Sequence, residues 1–213
     1  MGLLDLYGFF MLDIIVRKRF DPMIEKLGAF FFKNISPLFL TFFGLFFGLI
    51  GMVFLLQKLY FLALGMVFLN RLCDGLDGTV SRLSNQVSDR GAYFDIIFDM
   101  FFYCGSVLAF IYPYTEFYYL GAVTLFSMMM TGMSFLAFAI FASKYEKQIA
   151  SQKNKSFFFH NSLVEGTETT LFLIAFCLKP EWFVVFAVIY SVGCWLTILS
   201  RFYIVNHYFR ENF

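Results

Sequence analysis

Histidine, cysteine and a surplus of either charge are what this chain has least of. Two histidines and four cysteines are spread over 213 residues. His160 and His207 stand far apart, and Cys73, Cys104, Cys177 and Cys194 lie singly in apolar stretches. No set has zinc-ligand or disulfide spacing, so the cysteines are expected as small buried hydrophobes. Sixteen basic residues face 15 acidic ones, a net charge of +1. Bulk charge therefore points to no nucleic-acid partner. Also missing are an internal repeat, a low-complexity linker and a second soluble domain. The first residues contain Asp5 and Asp13 and lack a basic leader followed by a small-residue cleavage site, so no cleavable signal is expected.

What is there is apolar. Sixty per cent of residues are hydrophobic and 34 are phenylalanine, an integral-membrane composition in which Phe serves as lipid-facing and helix-packing bulk. Apolar runs of bilayer length fall at 36–57, 61–84, 90–113, 118–143, 162–179 and 182–207. The expected fold is an all-α membrane protein with six transmembrane helices over 34–213. Residues 1–33 precede it. Their apolar stretch 3–16, followed by Arg17-Lys18-Arg19, predicts an amphipathic interfacial helix. Ser36 and Pro37 are placed to cap and open the first span, and Asn161 or Ser162 to cap the fifth.

Basic residues set an orientation. With the N-terminus inside, the cytoplasmic side collects Arg17, Lys18, Arg19, Lys26, Lys33, Arg71, Arg82, Arg90, Lys144, Lys147, Lys153, Lys155, Arg201 and Arg210. Only Lys58 and Lys179 of the sixteen fall opposite. That asymmetry supports six spans with both termini cytoplasmic.

Against this background stand four aspartates, Asp74, Asp77, Asp95 and Asp99. A charge at bilayer depth costs roughly 2.5–3.5 kcal/mol on insertion scales. Asp74 and Asp77 are three apart and Asp95 and Asp99 four apart, so each pair shares a helical face. Two such faces turned together make a nest of carboxylates suited to Mg²⁺ or Mn²⁺. A pair of such ions is a template for phosphoryl transfer. Gly78 and Gly91 remove side chains where a nucleotide or a helix must come close, and Arg82 offers a fork to phosphate oxygens. The plainer reading is aspartates paired with Arg71, Arg82 and Arg90 as polar glue between helices.

The spacing Asp74-x-x-Asp77-Gly78-x-x-Ser81-Arg82, eight residues, Gly91-x-x-x-Asp95-x-x-x-Asp99 resembles the signature of the CDP-alcohol phosphotransferase family, D-x-x-D-G-x-x-A-R, eight residues, G-x-x-x-D-x-x-x-D. Ser81 stands where the family usually has alanine. A weaker likeness precedes it: Pro37 and Thr41 match a family Pro-Asn…Thr element, but Leu38 replaces its asparagine. The resemblance implies transfer of a phosphatidyl or related group from a CDP-linked donor, CDP-diacylglycerol by preference, to a small alcohol such as glycerol 3-phosphate, inositol phosphate or serine, with release of CMP. It implies a bacterial inner-membrane enzyme facing the cytoplasm, two Mg²⁺ or Mn²⁺ ions, and a homodimer. By motif match Asp74, Asp77, Asp95 and Asp99 bind metal. Asp99 is also the base, and Asp74, Gly78, Ser81, Arg82 and Gly91 border the CDP.

Weaker candidates for the acceptor are Arg71, Lys144, Glu165, Glu168 and Arg201. Each has a plainer reading: a snorkelling cation for the basic residues, a charge complementing a helix N-terminus for the glutamates. Two other activities compete. One is transfer of a CDP-linked headgroup to diacylglycerol; the other is divalent-cation transport.

Overall fold

A computed structural model describes Arg19, residues 22–26, Gly28, Phe30, residues 35–144 and residues 164–212. Among them the structure is helical throughout, with no strand. Six long helices follow one another: α1 Pro37–Leu56, α2 Tyr60–Leu83, α3 Asp89–Ile111, α4 Tyr118–Lys144, α5 Gly166–Leu178 and α6 Phe183–Asn212. Single 3₁₀ turns at Thr115–Phe117 and Pro180–Trp182 lead into α4 and α6.

Each helix coincides with one of the six apolar runs. Four segments are long and apolar enough to cross a bilayer: Pro37–Leu56, Asp89–Ile111, Thr115–Lys144 and Pro180–His207. The other two fall short for separate reasons. Helix α2 has the length, but Arg71, Asp74, Asp77 and Arg82 crowd its second half. Helix α5 has 13 residues, about 20 Å against a hydrocarbon core of about 30 Å. The expected interfacial helix over 3–16 lies outside the described residues, as do Lys147, Lys153, Lys155, Asn161 and Ser162. Within the first 33 residues, 22–26 are helical. Ile24 there joins Ile35 and Leu72 against a small buried cluster of Leu40, Leu76 and Val80.

Helix boundaries follow local chemistry. Ser36 precedes α1 with Pro37 at the first helical position, as expected, but the serine side chain makes no cap bond. Its carbonyl instead accepts from the amides of Phe39 and Leu40. Helix α1 ends in a Schellman turn: Leu59 N–H bonds Phe54 O at 2.9 Å and Lys58 N–H bonds Leu55 O at 3.0 Å, with Lys58 at φ 59°. Helix α2 ends the same way. Gln86 N–H reaches Ser81 O at 2.9 Å and Asn85 N–H reaches Arg82 O at 3.3 Å, with Asn85 at φ 54°. Asparagine tolerates that left-handed conformation better than most residues.

Helix α1 packs along both α2 and α3, α4 packs along α6, and α5 is wedged against α2, α3 and α6. Helices α2 and α3 make little backbone contact with each other. A stripe of small residues brings α1 close. A Cβ on Gly44 would stand 3.2 Å from Cys73 Cβ, and one on Gly48 2.8 Å from the ring of Phe102. Below the stripe lies an aromatic core. Phe110 meets Phe176 at 4.4 Å and Phe183 at 4.8 Å, and Phe172 stacks on Tyr190 at 4.5 Å. Other phenylalanines, among them Phe39, Phe61 and Phe202, face outward. All four cysteines are free thiols; Cys73, Cys177 and Cys194 are buried.

The glycine contacts give a test. Phe102 is 1% exposed and cannot retreat, so Gly48→Ala should cost about 1–3 kcal/mol by overpacking. Gly65 has nothing within 4 Å of a new Cβ, so Gly65→Ala should be neutral or stabilising by up to about 1 kcal/mol. Thermal unfolding of the two variants in detergent checks the contrast.

Candidate functional site

The gap between α2 and α3 is where the aspartates meet. Six residues separate Asp77 from the end of α2, and six separate Asp95 from the start of α3, about 9 Å along each axis. Asp74 and Asp99 lie deeper, at about 14–15 Å by the same rise. The pairs therefore stack in two layers near one end of the molecule. They line a small open cleft together with Thr41, Gly44 and Leu45 of α1, Asn70 and Arg71 of α2, and Phe98 of α3. One carboxylate oxygen from each of Asp74, Asp95 and Asp99 lies within 4.8 Å of the others. Asp77 Oδ2 is buried and has no hydrogen-bond partner.

Arg71 stands among these acids rather than apart from them. Its Nη2 donates to Asp99 Oδ1 at 2.6 Å and its Nη1 to Asp99 Oδ2 at 3.3 Å, a forked pair. Nη1 also reaches Asp74 Oδ2 at 3.4 Å and the Tyr103 hydroxyl at 2.7 Å. Nε and Nη2 both donate to Asn70 Oδ1, at 2.8 and 2.6 Å. The Asn70 amide in turn donates to Gly44 O at 2.8 Å, and the Tyr103 hydroxyl to Gly166 O at 3.3 Å. A continuous polar line thus joins α1, α2, α3 and the start of α5.

This arrangement fits divalent cations. Four carboxylates against one guanidinium (4 − 1) leave three negative charges when all are ionised, crowded into a half-buried cleft. Like charges at about 4 Å repel by several kcal/mol at the effective dielectric of a protein surface. Hard cations with oxygen ligands relieve that repulsion and give the orphaned Asp77 oxygen a partner. Asp74, Asp95 and Asp99 are close enough together to hold one ion, and Asp77 lines the same cleft without joining that group.

The remaining motif positions lie closer to the end of α2 and the start of α3 than the aspartates do, and none of them lines the cleft. Gly78 would bring a Cβ within 4 Å of nothing but the Arg82 guanidinium, at 3.4 Å. Among the described residues no packed element claims the space beside it, so their packing does not explain that glycine. Gly91 is different: its amide donates to Ser88 Oγ at 3.1 Å and caps α3. Ser81 is half-buried, and Arg82 is exposed with one contact to Thr79 Oγ1 at 3.3 Å.

Of the acceptor candidates, only Arg71 lines the cleft. Lys144 is exposed at the last residue of α4. Glu165 is the N-cap of α5, with Glu168 Oε2 accepting from the Glu165 amide at 3.0 Å, a reciprocal capping box. The cap lies three residues beyond Ser162, which corrects the expectation for this helix. Arg201 is 4% exposed and donates to Thr131 O at 2.9 Å and Ser134 Oγ at 2.7 Å on α4. The sequence reading missed Asn70 and Tyr103. Both carried a signal: Asn70 is one turn before Asp74, and Tyr103 one turn after Asp99, each on the acidic face.

Comparison with known proteins agrees with this geometry. The family model described as CDP-alcohol phosphatidyltransferase matches residues 34–205. The chain is 37% identical over 193 residues to "Inner membrane protein YnjF" of Escherichia coli (strain K12), covering 90% of this chain and 93% of that protein. It is 36% identical over 87 residues to an "Uncharacterized protein" of Aquifex aeolicus (strain VF5), covering 40% of this chain and 44% of that protein.

Asn70 has both its amide and its carbonyl committed, so its loss should be felt. Asn70→Ala is expected to destabilise by about 1–3 kcal/mol, the range for stranding buried polar partners. The reading is a lowered thermal midpoint in detergent; an unchanged midpoint would remove Asn70 from the network.

Proposed function

The chain belongs to the CDP-alcohol phosphatidyltransferase family, a family of transferases in the membrane, and we propose that this member moves a phosphatidyl group from CDP-diacylglycerol to a small polar alcohol. Glycerol 3-phosphate, inositol phosphate and serine are the acceptors to try first. The observation that carries the reading is the convergence of Asp74, Asp95 and Asp99 beside the unpartnered Asp77 oxygen, in a cleft open at one end of the helices.

The reaction balances as a substitution at phosphorus. The acceptor hydroxyl oxygen forms a bond to the diacylglycerol-bearing phosphorus of the donor, the phosphoanhydride bond breaks, and CMP leaves with the electron pair. Two bound Mg²⁺ or Mn²⁺ ions would neutralise the pyrophosphate and steady the departing CMP. Asp99, fixed by the Arg71 fork, takes the hydroxyl proton. Asp74, Asp77, Asp95 and Asp99 would hold the metal. Gly78 leaves room for the nucleotide, with Ser81 and Arg82 at the rim and Gly91 setting the first turn of α3. We further propose six crossings within 34–213, with α2 and α5 spanning as members of the bundle. Both termini and the cleft would face the cytoplasm of the inner membrane, and the protein would be a homodimer. The one-sided distribution of basic residues supports this orientation.

The test is CMP release from CDP-diacylglycerol in proteoliposomes, with Mg²⁺ or Mn²⁺ and candidate alcohols one at a time. Divalent-ion flux without CMP would replace the enzyme by a transporter. CMP released only when a CDP-linked headgroup meets diacylglycerol would reverse the roles of donor and acceptor. Within the enzyme reading, Asp99→Asn should lower turnover by about 10²–10⁴-fold while donor binding persists. Asp77→Asn should weaken metal and donor binding together. Near-native turnover of Asp99→Asn would reassign the base.

A further inference from the structure

Arg71 is the only cationic side chain among the described residues lining the cleft, and it is anchored by more than its opposite charges. Asn70 Oδ1 accepts from two of its nitrogens and the Tyr103 hydroxyl from a third. The rings of Phe102 and Tyr103 lie against the guanidinium, 5.0 and 4.9 Å from centroid to carbon. None of these neutral contacts depends on a carboxylate being free. A loosely held counter-ion would leave when a divalent ion arrived; a group clamped from three sides stays. A cation meant for an incoming alcohol would, conversely, present free donors to the cleft. Here every guanidinium nitrogen is already engaged by the protein.

We propose that Arg71 is a resident cation of the site: it remains forked on Asp99 when divalent ions bind, positions that carboxylate for the reaction, and limits how tightly the acidic cluster takes a divalent ion. Arg71 is thus a positioning residue, and the inference rests on the metal-dependent transfer proposed above.

Two effects oppose each other when the guanidinium is removed. Losing a unit positive charge beside a divalent ion, even at a separation of about 8 Å, favours binding of that ion by a factor on the order of a thousand at an effective dielectric of about 20. Freeing a ligating carboxylate from the group that orients it costs about 10–100-fold. Charge outweighs orientation for ion binding, while orientation alone governs the step that needs Asp99.

The experiment titrates Mn²⁺ into the purified full-length protein, without donor or acceptor, and follows free Mn²⁺ by electron paramagnetic resonance. For Arg71→Gln the Mn²⁺ half-saturation should fall by about tenfold or more. The same variant should lose about 10–100-fold in kcat with the acceptor KM little changed. Arg71→Lys keeps the charge but cannot serve Asn70, Tyr103 and both Asp99 oxygens at once. Its Mn²⁺ half-saturation should stay near wild type while kcat still falls. Unchanged or weaker Mn²⁺ binding in Arg71→Gln, or a rise confined to acceptor KM, overturns the proposal. Should Arg71→Gln fail to fold, Arg71→Lys and Tyr103→Phe decide: falling kcat at constant Mn²⁺ affinity supports it, and native kcat in both overturns it. A wild-type protein that binds no Mn²⁺ sinks the metal-dependent reading and this inference together.

Discussion

The pair between Arg71 and Asp99 is the constraint on which the site depends. Helices α2 and α3 scarcely touch through their backbones, and the acidic faces they turn toward each other repel. Removing one partner from a half-buried ion pair leaves a charge without compensation, which is far more costly than the pair is stabilising. The guanidinium therefore holds the gap at a fixed width more than it adds net stability. Its neutral partners extend that control outward: Asn70 fixes it to the α1 backbone at Gly44, and Tyr103 carries it to the first turn of α5. A polar line across four helices can act this way because every member is satisfied at both ends.

The glycine stripe on α1 and the gap between α2 and α3 are two sides of one arrangement. Gly44 and Gly48 let α1 lie close enough for Asn70 to reach a main-chain carbonyl. With α1 packed on both neighbours, α2 and α3 are held at a separation set by α1 rather than by their own contact. The space between them stays open at one end and polar inside. It can remain polar at that depth because its carboxylates face one another, one cation and the cleft, and not the apolar surround.

Much of this was legible in the sequence. Apolar runs of bilayer length marked all six helices, because a bilayer-sized apolar run has few other uses. The acidic positions were legible as two pairs because spacings of three and four define a helical face. The place of Arg71 was legible only as one of two readings. Pairing with the aspartates and binding a phosphorylated acceptor both suited its charge, and the three-dimensional approach of α3 shows that Asp99 and Tyr103 claim it. The two glutamates of α5 were ambiguous in the same way, and local geometry turns them into a capping box. Glycines divide likewise. Gly78 and Gly91 looked alike in the motif, yet among the described residues one is bordered only by the Arg82 guanidinium and the other donates to the cap of α3. Sequence spacing reports which face a residue shares, whereas a side chain's partner depends on what packs opposite.

The eight residues between Arg82 and Gly91 show why the spacing of the motif is rigid. They comprise the last residue of α2, a turn, the N-cap Ser88 and the first two residues of α3. Both ends are pinned. The Schellman bonds of Asn85 and Gln86 close α2, and the Ser88 hydroxyl receives the Gly91 amide to open α3. Little slack remains between two fixed caps. One residue inserted after the cap would turn the rest of α3 by about 100° and advance it by about 1.5 Å. Asp95 and Asp99 would then leave the face that meets Asp74, and Arg71 would lose its fork on Asp99 together with its Tyr103 contact, keeping only Asn70 and Asp74 on its own helix. The gap in the motif is therefore as much a part of the site as the carboxylates, since it sets the rotational register at which two acidic faces and one arginine meet.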